Sequence, residues 1–186
     1  MSSVDTAARA LLARAEMILG PDEVNAAVLR VSEEVTQTLG GRHPLVLAVM
    51  RGGVVFAGQL LPLLQFPLDF DYVDATRYGP HTQGGTLNWR VDVPAAVRDR
   101  TVLLIDDILD EGHTLAAIRD RLLARGATAV MIAIFADKQL NRVKPVQGDF
   151  VGTTVPDCYV FGFGMDVRGL WRNLPAVYAL SPEDDN

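Results

Sequence analysis

The stretch Thr101-Val-Leu-Leu-Ile-Asp-Asp-Ile-Leu-Asp-Glu-Gly-His-Thr-Leu115 decides the fold of this chain. Its first five residues form a dense apolar run, which predicts a buried strand in a sheet that is covered on both faces. Two adjacent acids, Asp106 and Asp107, end that run, so the strand delivers both carboxylates to one edge of the sheet. A tight turn with a third acid, Asp110, follows, and Glu111-Gly-His-Thr114 then opens a helix.

Outward from this stretch, helix and strand patterns alternate along the chain. Helices are marked by apolar residues three or four apart, and strands by short apolar or alternating runs. The patterns predict helices over Asp22–Leu39, Val54–Leu64 and Thr114–Ala124, and strands over Leu45–Met50, Leu68–Arg77, Thr86–Val93, Thr101–Ile105 and Ala129–Phe135. A strand, a crossover helix and a second strand within about 35 residues form a βαβ unit. The predicted fold class is therefore α/β, with a mainly parallel central sheet flanked by helices.

Ligands of such sheets bind outside the carboxyl ends of the strands. That rule brings Met50–Gly52, Asp106–Thr114 and Asp137–Lys138 to the same rim. The acids suit sugar hydroxyls and Mg²⁺, whereas the N–H groups at a helix start and the Thr114 hydroxyl suit a phosphate. One short segment is thereby predicted to bind both ends of a phosphorylated ribose. A simpler interpretation is that the acids only cap the following helix.

Composition excludes several classes of protein. The 186 residues fit one domain of ordinary size, predicted to span 1–186 with a flexible tail from Ser181 to Asn186. The net charge of −6 argues against a nucleic-acid partner. The single cysteine, Cys158, cannot form a disulfide framework, and there is no apolar run of about 18 residues for a membrane span. These features favour a cytoplasmic location.

The central motif closely resembles the 5-phosphoribosyl-1-pyrophosphate signature of type I phosphoribosyltransferases: two acids, two apolar residues, Asp, a small or polar residue, Gly, any residue and Thr. Later segments narrow the resemblance: Phe135-Ala-Asp-Lys138, Asp149-Phe-Val-Gly152, Val155-Pro-Asp157, Tyr159-Val-Phe-Gly-Phe-Gly-Met-Asp166 and Arg172-Asn-Leu174. In this order they look like the bacterial hypoxanthine-guanine phosphoribosyltransferases, over about Pro21 to Leu180. The resemblance implies the type I fold, with a small hood built from N- and C-terminal segments. It also implies purine salvage, in which hypoxanthine or guanine is converted to IMP or GMP with release of pyrophosphate.

The resemblance assigns the sugar and phosphate end of the site to the central motif. Asp110 would lie beside N7 of the purine as the general acid/base. Asp106 and Asp107 would lie by the ribose hydroxyls and their Mg²⁺. The 5′-phosphate would be bound by four consecutive residues, Glu111, Gly112, His113 and Thr114.

The base and the pyrophosphate are assigned to later segments. Lys138 would reach the purine 6-oxo group, Tyr159 would stack on the base, and the Val160 backbone would meet its edge. Asp166 would bind a second Mg²⁺ together with pyrophosphate. The pyrophosphate itself would be bound by Arg172 and the Arg51-Gly52 turn, where the family has a cis peptide bond, here Met50–Arg51.

Each of these side chains, taken alone, has a simpler interpretation. Lys138 and Arg172 would then be surface residues, and Tyr159 would be part of the core. Asp166 would cap a helix around Val167–Trp171. Their joint order behind the central motif favours the functional assignment.

Four residues depart from the resembled pattern. Arg51 stands where many members have lysine, and Arg77 stands where a serine precedes the tyrosine of the mobile loop. Glu111 replaces a small hydroxyl residue and adds negative charge near the expected phosphate. Cys158 occupies a position that is often lysine. By comparison with the resembled pattern, Glu111 is expected to lower the affinity for phosphate, and Cys158 is expected to remove one contact to the edge of the base.

The chemistry also needs a lid, because water would capture a sugar cation in an open site. Tyr78–Thr86, with three glycines and one proline, is the predicted lid, and Tyr78 is the predicted contact to the sugar-phosphate. Two alternatives stay open: a preference for xanthine and guanine, and a nucleotide-sensing regulator on the same fold. A homodimer or homotetramer is usual in the resembled family.

Overall fold

The computed structural model describes residues 3–77 and 87–181. In chain order the elements are α1 (Ser3–Arg14), β1 (Glu16–Leu19), α2 (Pro21–Leu39), β2 (Leu45–Met50), α3 (Val54–Leu60), β3 (Asp69–Arg77), β4 (Leu87–Val91), β5 (Thr101–Leu109), α4 (His113–Ala124), β6 (Ala129–Lys138), β7 (Phe150–Val155), β8 (Val160–Phe161) and β9 (Val177–Ala179). Short 3₁₀ turns follow α3 at Leu61–Leu63 and precede β5 at Ala95–Val97.

A six-stranded sheet forms the centre of the fold, in the order β4-β3-β2-β5-β6-β7. Its five strands from β3 to β7 in that order pair in parallel, and β4 pairs antiparallel at one edge. The parallel strands end at one rim because each returns through a crossover connection. The predicted α/β class with a mainly parallel sheet is confirmed.

The central strands β2, β5 and β6 are covered on both faces, which explains their continuous apolar runs. Leu103 and Ile105 of β5 pack with α2 and α3 on one face. Leu104 of the same strand packs on the other face, where α4 contributes Ile118 and Leu122. Helix α4 is therefore held directly behind the strand that precedes it, and its first residues lie at the rim.

A separate three-stranded antiparallel sheet, in the order β1-β9-β8, joins the two ends of the chain. Leu11 of α1 packs here with Phe161 and Leu180. The indole Nε1–H of Trp171 donates to the Ala8 carbonyl at 3.1 Å. This small sheet is the expected hood, and it carries the segment from Tyr159 to Arg172 over the rim.

Several predicted boundaries differ from the observed ones, and the largest differences are at α3, β5 and β6. The helix predicted over Val54–Leu64 ends as α3 at Leu60 and tightens into a 3₁₀ turn, because Pro62 has no N–H to continue the α-helical pattern. Strand β5 does not end before the acids but runs to Leu109, since its pairing with β6 continues to the Leu109–Asp137 pair. Strand β6 accordingly extends to Lys138.

Parts of three predictions lie outside the described residues. These are the predicted lid Tyr78–Thr86, its contact residue Tyr78, and all but Ser181 of the predicted tail. Within the ranges that the structure does describe, no helix is long and apolar enough to cross a membrane.

Candidate active site

A cavity of about 510 Å³ opens at the carboxyl ends of the parallel strands, beneath the hood. Every predicted site residue that the structure describes lines it: Arg51, Gly52, Asp106, Asp107, Asp110, Glu111, Gly112, His113, Thr114, Lys138, Tyr159, Val160, Asp166 and Arg172. Tyr78 lies outside the described residues. The structure therefore brings the central motif and the segment from Tyr159 to Arg172, about 50 residues apart in sequence, to one cavity.

The carboxylates of Asp106 and Asp107 lie at the floor of this cavity and are almost fully buried. The Asp107 N–H donates to Asp106 Oδ1 at 2.9 Å, and the Ile108 N–H donates to Asp107 Oδ1 at 2.8 Å. Burial and the adjacent Asp107 carboxylate raise the pKa of Asp106 well above its usual range. Burial also raises the pKa of Asp107, although the hydrogen bond with Asp106 and the Arg172 charge oppose that rise. A cation that bound beside the pair would lower the pKa of both carboxyl groups and displace any proton that they hold into solvent.

Three glycines allow the backbone to pack closely against the Ile105–Asp107 segment of β5 and against each other. A Cβ added at Gly52 would lie 2.1 Å from Asp107 Oδ2, and one at Gly53 would lie 2.7 Å from the Ile105 carbonyl oxygen. Gly164 has φ +101°, and a Cβ there would lie 2.4 Å from the Gly52 carbonyl oxygen. The turn after β2 and the hood segment therefore approach the acid pair as closely as the chain allows. The Met50–Arg51 peptide bond at this turn is cis, as the resemblance implied.

The predicted phosphate loop leads into α4 through Gly112, which has φ +79° and forms no side-chain cap. A left-handed residue at this point suits glycine, and it turns the chain so that the helix start faces the cavity. Glu111, the acidic departure from the resembled pattern, forms an ion pair with Arg142. The added negative charge is thereby balanced by a cation from the segment after β6, which sequence patterns did not single out.

Asp110 and Lys138 form an ion pair that lines the cavity. Lys138 Nζ lies 3.2 Å from Asp110 Oδ2. The lysine side chain is 13% exposed, whereas the aspartate side chain is 51% exposed. A strand-end lysine that pointed into solvent would be far more exposed, so the simpler interpretation of Lys138 as a surface residue is wrong.

Arg172 joins the acid pair to the hood. It donates to the Gly164 carbonyl at 2.6 Å and forms an ion pair with Asp166, and its Nη1 lies 3.8 Å from Asp107 Oδ2. Asp166 Oδ2 also accepts the Gly169 N–H at 2.6 Å. The Tyr159 hydroxyl donates to the Asp166 carbonyl at 3.1 Å. Tyr159, Asp166 and Arg172 thus form one connected wall of the cavity.

The alternative that Asp166 caps a helix is wrong, because the residues after it form no helix. Val167 and Leu170 instead form an isolated β-bridge. Arg51 is exposed at the mouth of the cavity. Of the rim residues predicted from the sheet rule, Asp137 does not line the cavity and bonds instead to Lys144.

Sequence reasoning missed five lining residues: Val49, Ala75, Thr76, Leu115 and Met165. Ala75 and Thr76 lie near the carboxyl end of β3, which pairs in parallel with β2. The rule that placed the ends of β2 and β5 at the rim applies equally to β3. Extending it to the end of the predicted strand at Arg77 would have found both.

The donor set fits Mg²⁺ that is bound together with a substrate. Within residues 3–77 and 87–181 there is no group of three acidic, histidine or cysteine side chains that could hold a metal ion by themselves. Mg²⁺ usually takes one or two protein carboxylates and completes its shell with water and phosphate oxygens. The adjacent carboxylates of Asp106 and Asp107, with Asp166 across the cavity, suit that arrangement.

Comparisons with known proteins identify relatives of this chain. The chain is 33% identical to the hypoxanthine-guanine phosphoribosyltransferase of Lactococcus lactis and 30% identical to that of Bacillus subtilis, covering 90% of this chain in both cases and 92% and 93% of those proteins. It is 34% identical to the bifunctional protein TilS/HprT of Listeria innocua over 90% of this chain, but spans only 26% of that longer protein.

A solved structure of a hypoxanthine phosphoribosyltransferase from Staphylococcus aureus superimposes with a TM-score of 0.86 at 27% identity, covering 92% of this chain and 94% of that one. The family described as the phosphoribosyl transferase domain matches residues 16–168. That range takes in the central sheet, the predicted phosphate loop and the first part of the segment from Tyr159 to Arg172. The chain therefore belongs to the phosphoribosyl transferase domain family.

Proposed function

We propose that this chain is a hypoxanthine-guanine phosphoribosyltransferase. It would transfer the 5-phosphoribosyl group of 5-phosphoribosyl-1-pyrophosphate to hypoxanthine or guanine, giving IMP or GMP and pyrophosphate. The observation that carries the proposal is the single cavity that holds a phosphate loop, a buried acid pair and the Asp110–Lys138 ion pair side by side. The names of the relatives that match most of their own length support the same reaction.

The phosphate loop fixes the sugar-phosphate. Gly112 places the backbone N–H groups and the Thr114 hydroxyl at the start of α4, where the partial positive charge of the helix attracts a 5′-phosphate. The Glu111 carboxylate is engaged by Arg142, which reduces its repulsion of that phosphate. Asp106 and Asp107 lie deeper in the same cavity, where they can bind the ribose hydroxyls.

The base is recognised and deprotonated by the ion pair. The Lys138 ammonium donates a hydrogen bond to the 6-oxo group, while the Asp110 carboxylate accepts the N7 proton as N9 attacks ribose C1. Adenine presents a donor amino group where the 6-oxopurines present an acceptor, so two donors would face each other at Lys138. Tyr159 forms the wall on which the base stacks. The cavity should therefore select 6-oxopurines over adenine.

The leaving pyrophosphate is stabilised by cations around the mouth of the cavity. Arg51 is exposed there, and its planar guanidinium suits phosphate oxygens. Arg172 is already held at the wall by Asp166 and Gly164. When bound, Mg²⁺ would supply further electrostatic stabilisation of the negative charge on pyrophosphate, held by Asp106, Asp107 and Asp166 with substrate oxygens.

A panel of bases tests this proposal. Purified protein is given 5-phosphoribosyl-1-pyrophosphate, Mg²⁺ and one of hypoxanthine, guanine, xanthine or adenine, and pyrophosphate release is measured. Rapid release with hypoxanthine or guanine, little with adenine, and none in excess chelator are expected. A faster reaction with xanthine than with hypoxanthine would move the assignment to the xanthine-guanine enzymes, and no release with any 6-oxopurine would refute it.

We also infer that the enzyme works in the cytoplasm as a homodimer or homotetramer. The single cysteine and the phosphorylated substrates support the location. Light scattering after gel filtration measures the assembly, and a monomer under assay conditions would contradict the inference.

A further inference from the structure

The two residues that would recognise the base lie just beyond the end of a β-ladder. Strands β5 and β6 pair in register until Leu109 faces Asp137, which is their last pair. Asp110 directly follows β5, and Lys138 is the last residue of β6. Their separation is therefore not fixed by the ladder, although the reaction needs both side chains to reach one purine ring.

Lys144 joins the two strands at this point. Its Nζ donates to the Leu109 carbonyl at 2.6 Å, to the Lys138 carbonyl at 2.5 Å and to Asp137 Oδ1 at 2.5 Å. An ammonium group has three N–H donors, so the three bonds use all of them. The side chain is only 11% exposed, and it does not line the candidate active site.

We propose that Lys144 is a positioning residue that fixes the spacing between Asp110 and Lys138 and thereby sets the selectivity for 6-oxopurines. The inference rests on the proposed function. One cation binds the backbone directly before the general acid/base and the backbone of the base-recognition lysine. Its hydrogen bonds therefore hold the two chain segments together one residue beyond the last backbone pair of β5 and β6.

The charge of Lys144 is balanced locally. The Asp137 side chain, 28% exposed, accepts one of its bonds, and a buried ammonium needs such a partner. Lys138 remains paired with Asp110 on the other side. The Asp137–Lys144 pair therefore keeps the second cation from competing for the catalytic carboxylate.

The test compares Lys144→Met with Arg119→Met. Arg119 also reaches the segment after β6, through the Pro145 carbonyl at 3.5 Å, but its contact is exposed and does not touch the strand ends. The steady-state constants for hypoxanthine and for 5-phosphoribosyl-1-pyrophosphate are measured separately, with thermal unfolding as a check of folding. Misplacement of a reacting group by about 1 Å can cost about 100-fold in rate.

We expect Lys144→Met to lower kcat/KM for hypoxanthine by about 100-fold and to narrow the preference for hypoxanthine over adenine. The KM for 5-phosphoribosyl-1-pyrophosphate should change less than about threefold, because the phosphate loop lies beyond the backbone carbonyls that Lys144 binds. Arg119→Met should match the wild type in every constant. A similar rise in the KM of both substrates would show a general structural role and overturn the inference, as would an unchanged kcat/KM for hypoxanthine.

A second variant guards against misfolding of the first. Asp137→Asn keeps the size of the side chain but removes the charge that balances Lys144, and it should give the same pattern in weaker form. If it leaves base selectivity unchanged, the inference also fails. A wild-type protein that uses no purine refutes the proposed function instead, so the two failures are distinct.

Discussion

Gly52 provides a severe steric test of how the turn after β2 packs on the acid pair. In Gly52→Ala the new methyl would lie 2.1 Å from Asp107 Oδ2 and 2.4 Å from Asp107 Cγ. Non-bonded carbon atoms prefer about 3.5–4.0 Å, so either the turn or the carboxylate must move by more than about 1 Å. Neither moves freely, because Asp107 is buried and the Gly52 carbonyl lies against Gly164.

The expected cost follows from this clash. Overpacking a close contact typically destabilises a protein by about 1–3 kcal/mol. For a chain of this length each kcal/mol lowers Tm by about 2–4 °C, so a decrease of about 2–12 °C is expected. Because Asp107 lines the candidate active site, kcat/KM should fall by about 100-fold as well. Thermal unfolding and pyrophosphate release measure the two effects on the same sample.

Gly58 supplies the matched control. It lies inside α3, and a Cβ added there meets nothing within 4 Å. Gly58→Ala should therefore stabilise the helix by about 0.5–1 kcal/mol and leave turnover unchanged. If Gly52→Ala has wild-type stability and activity, the turn does not pack on Asp107 as described and the reasoning is refuted.

Three further predictions concern the walls of the cavity. Asp110→Asn keeps the size of the side chain but removes its basicity, so turnover should fall about 10²–10⁴-fold with little change in the dissociation constant for 5-phosphoribosyl-1-pyrophosphate. Near wild-type turnover in this variant would show that Asp110 takes no part in the reaction. Lys138→Met should weaken hypoxanthine binding by about 1.5–3 kcal/mol, measured by calorimetry, whereas unchanged binding would contradict its contact with the 6-oxo group. Arg142→Ala should raise the KM for 5-phosphoribosyl-1-pyrophosphate by up to about fivefold, since an exposed ion pair contributes at most about 1 kcal/mol. Adding Glu111→Ser should restore the wild-type KM. A KM that stays high in the double variant would show that Arg142 acts in some other way.

Much of the fold could be predicted because its central strands are buried on both faces. In a run such as Leu45–Met50, no polar, solvent-facing residue interrupts the apolar sequence, so the strand was predicted with its observed bounds. The acids Asp106 and Asp107 obscured the end of β5, because polar residues usually mark the end of a buried strand. There the pairing with β6 prevailed over composition.

The site was predicted where local sequence alone creates the chemistry. The turn from Asp110 to Thr114 carries its acid, its glycine and its helix start within five residues, so the local sequence is enough to predict its conformation. The roles of Arg142 and Lys144 depend instead on long side chains that reach Glu111 and Leu109 across the fold. The segment that carries them has neither helical nor alternating periodicity, and no pattern in it indicates a partner. Ion pairs of this kind become visible only when the strands are in place.

The most direct test of the central claim is a crystal structure of the protein with GMP bound. The account predicts that the 5′-phosphate lies on the backbone from Glu111 to Thr114, with the guanine 6-oxo group about 2.7–3.2 Å from Lys138 Nζ and N7 beside Asp110. Tyr159 should then stack on the guanine ring. A phosphate bound instead at the Arg51 turn, or a guanine ring outside the cavity, would contradict the account.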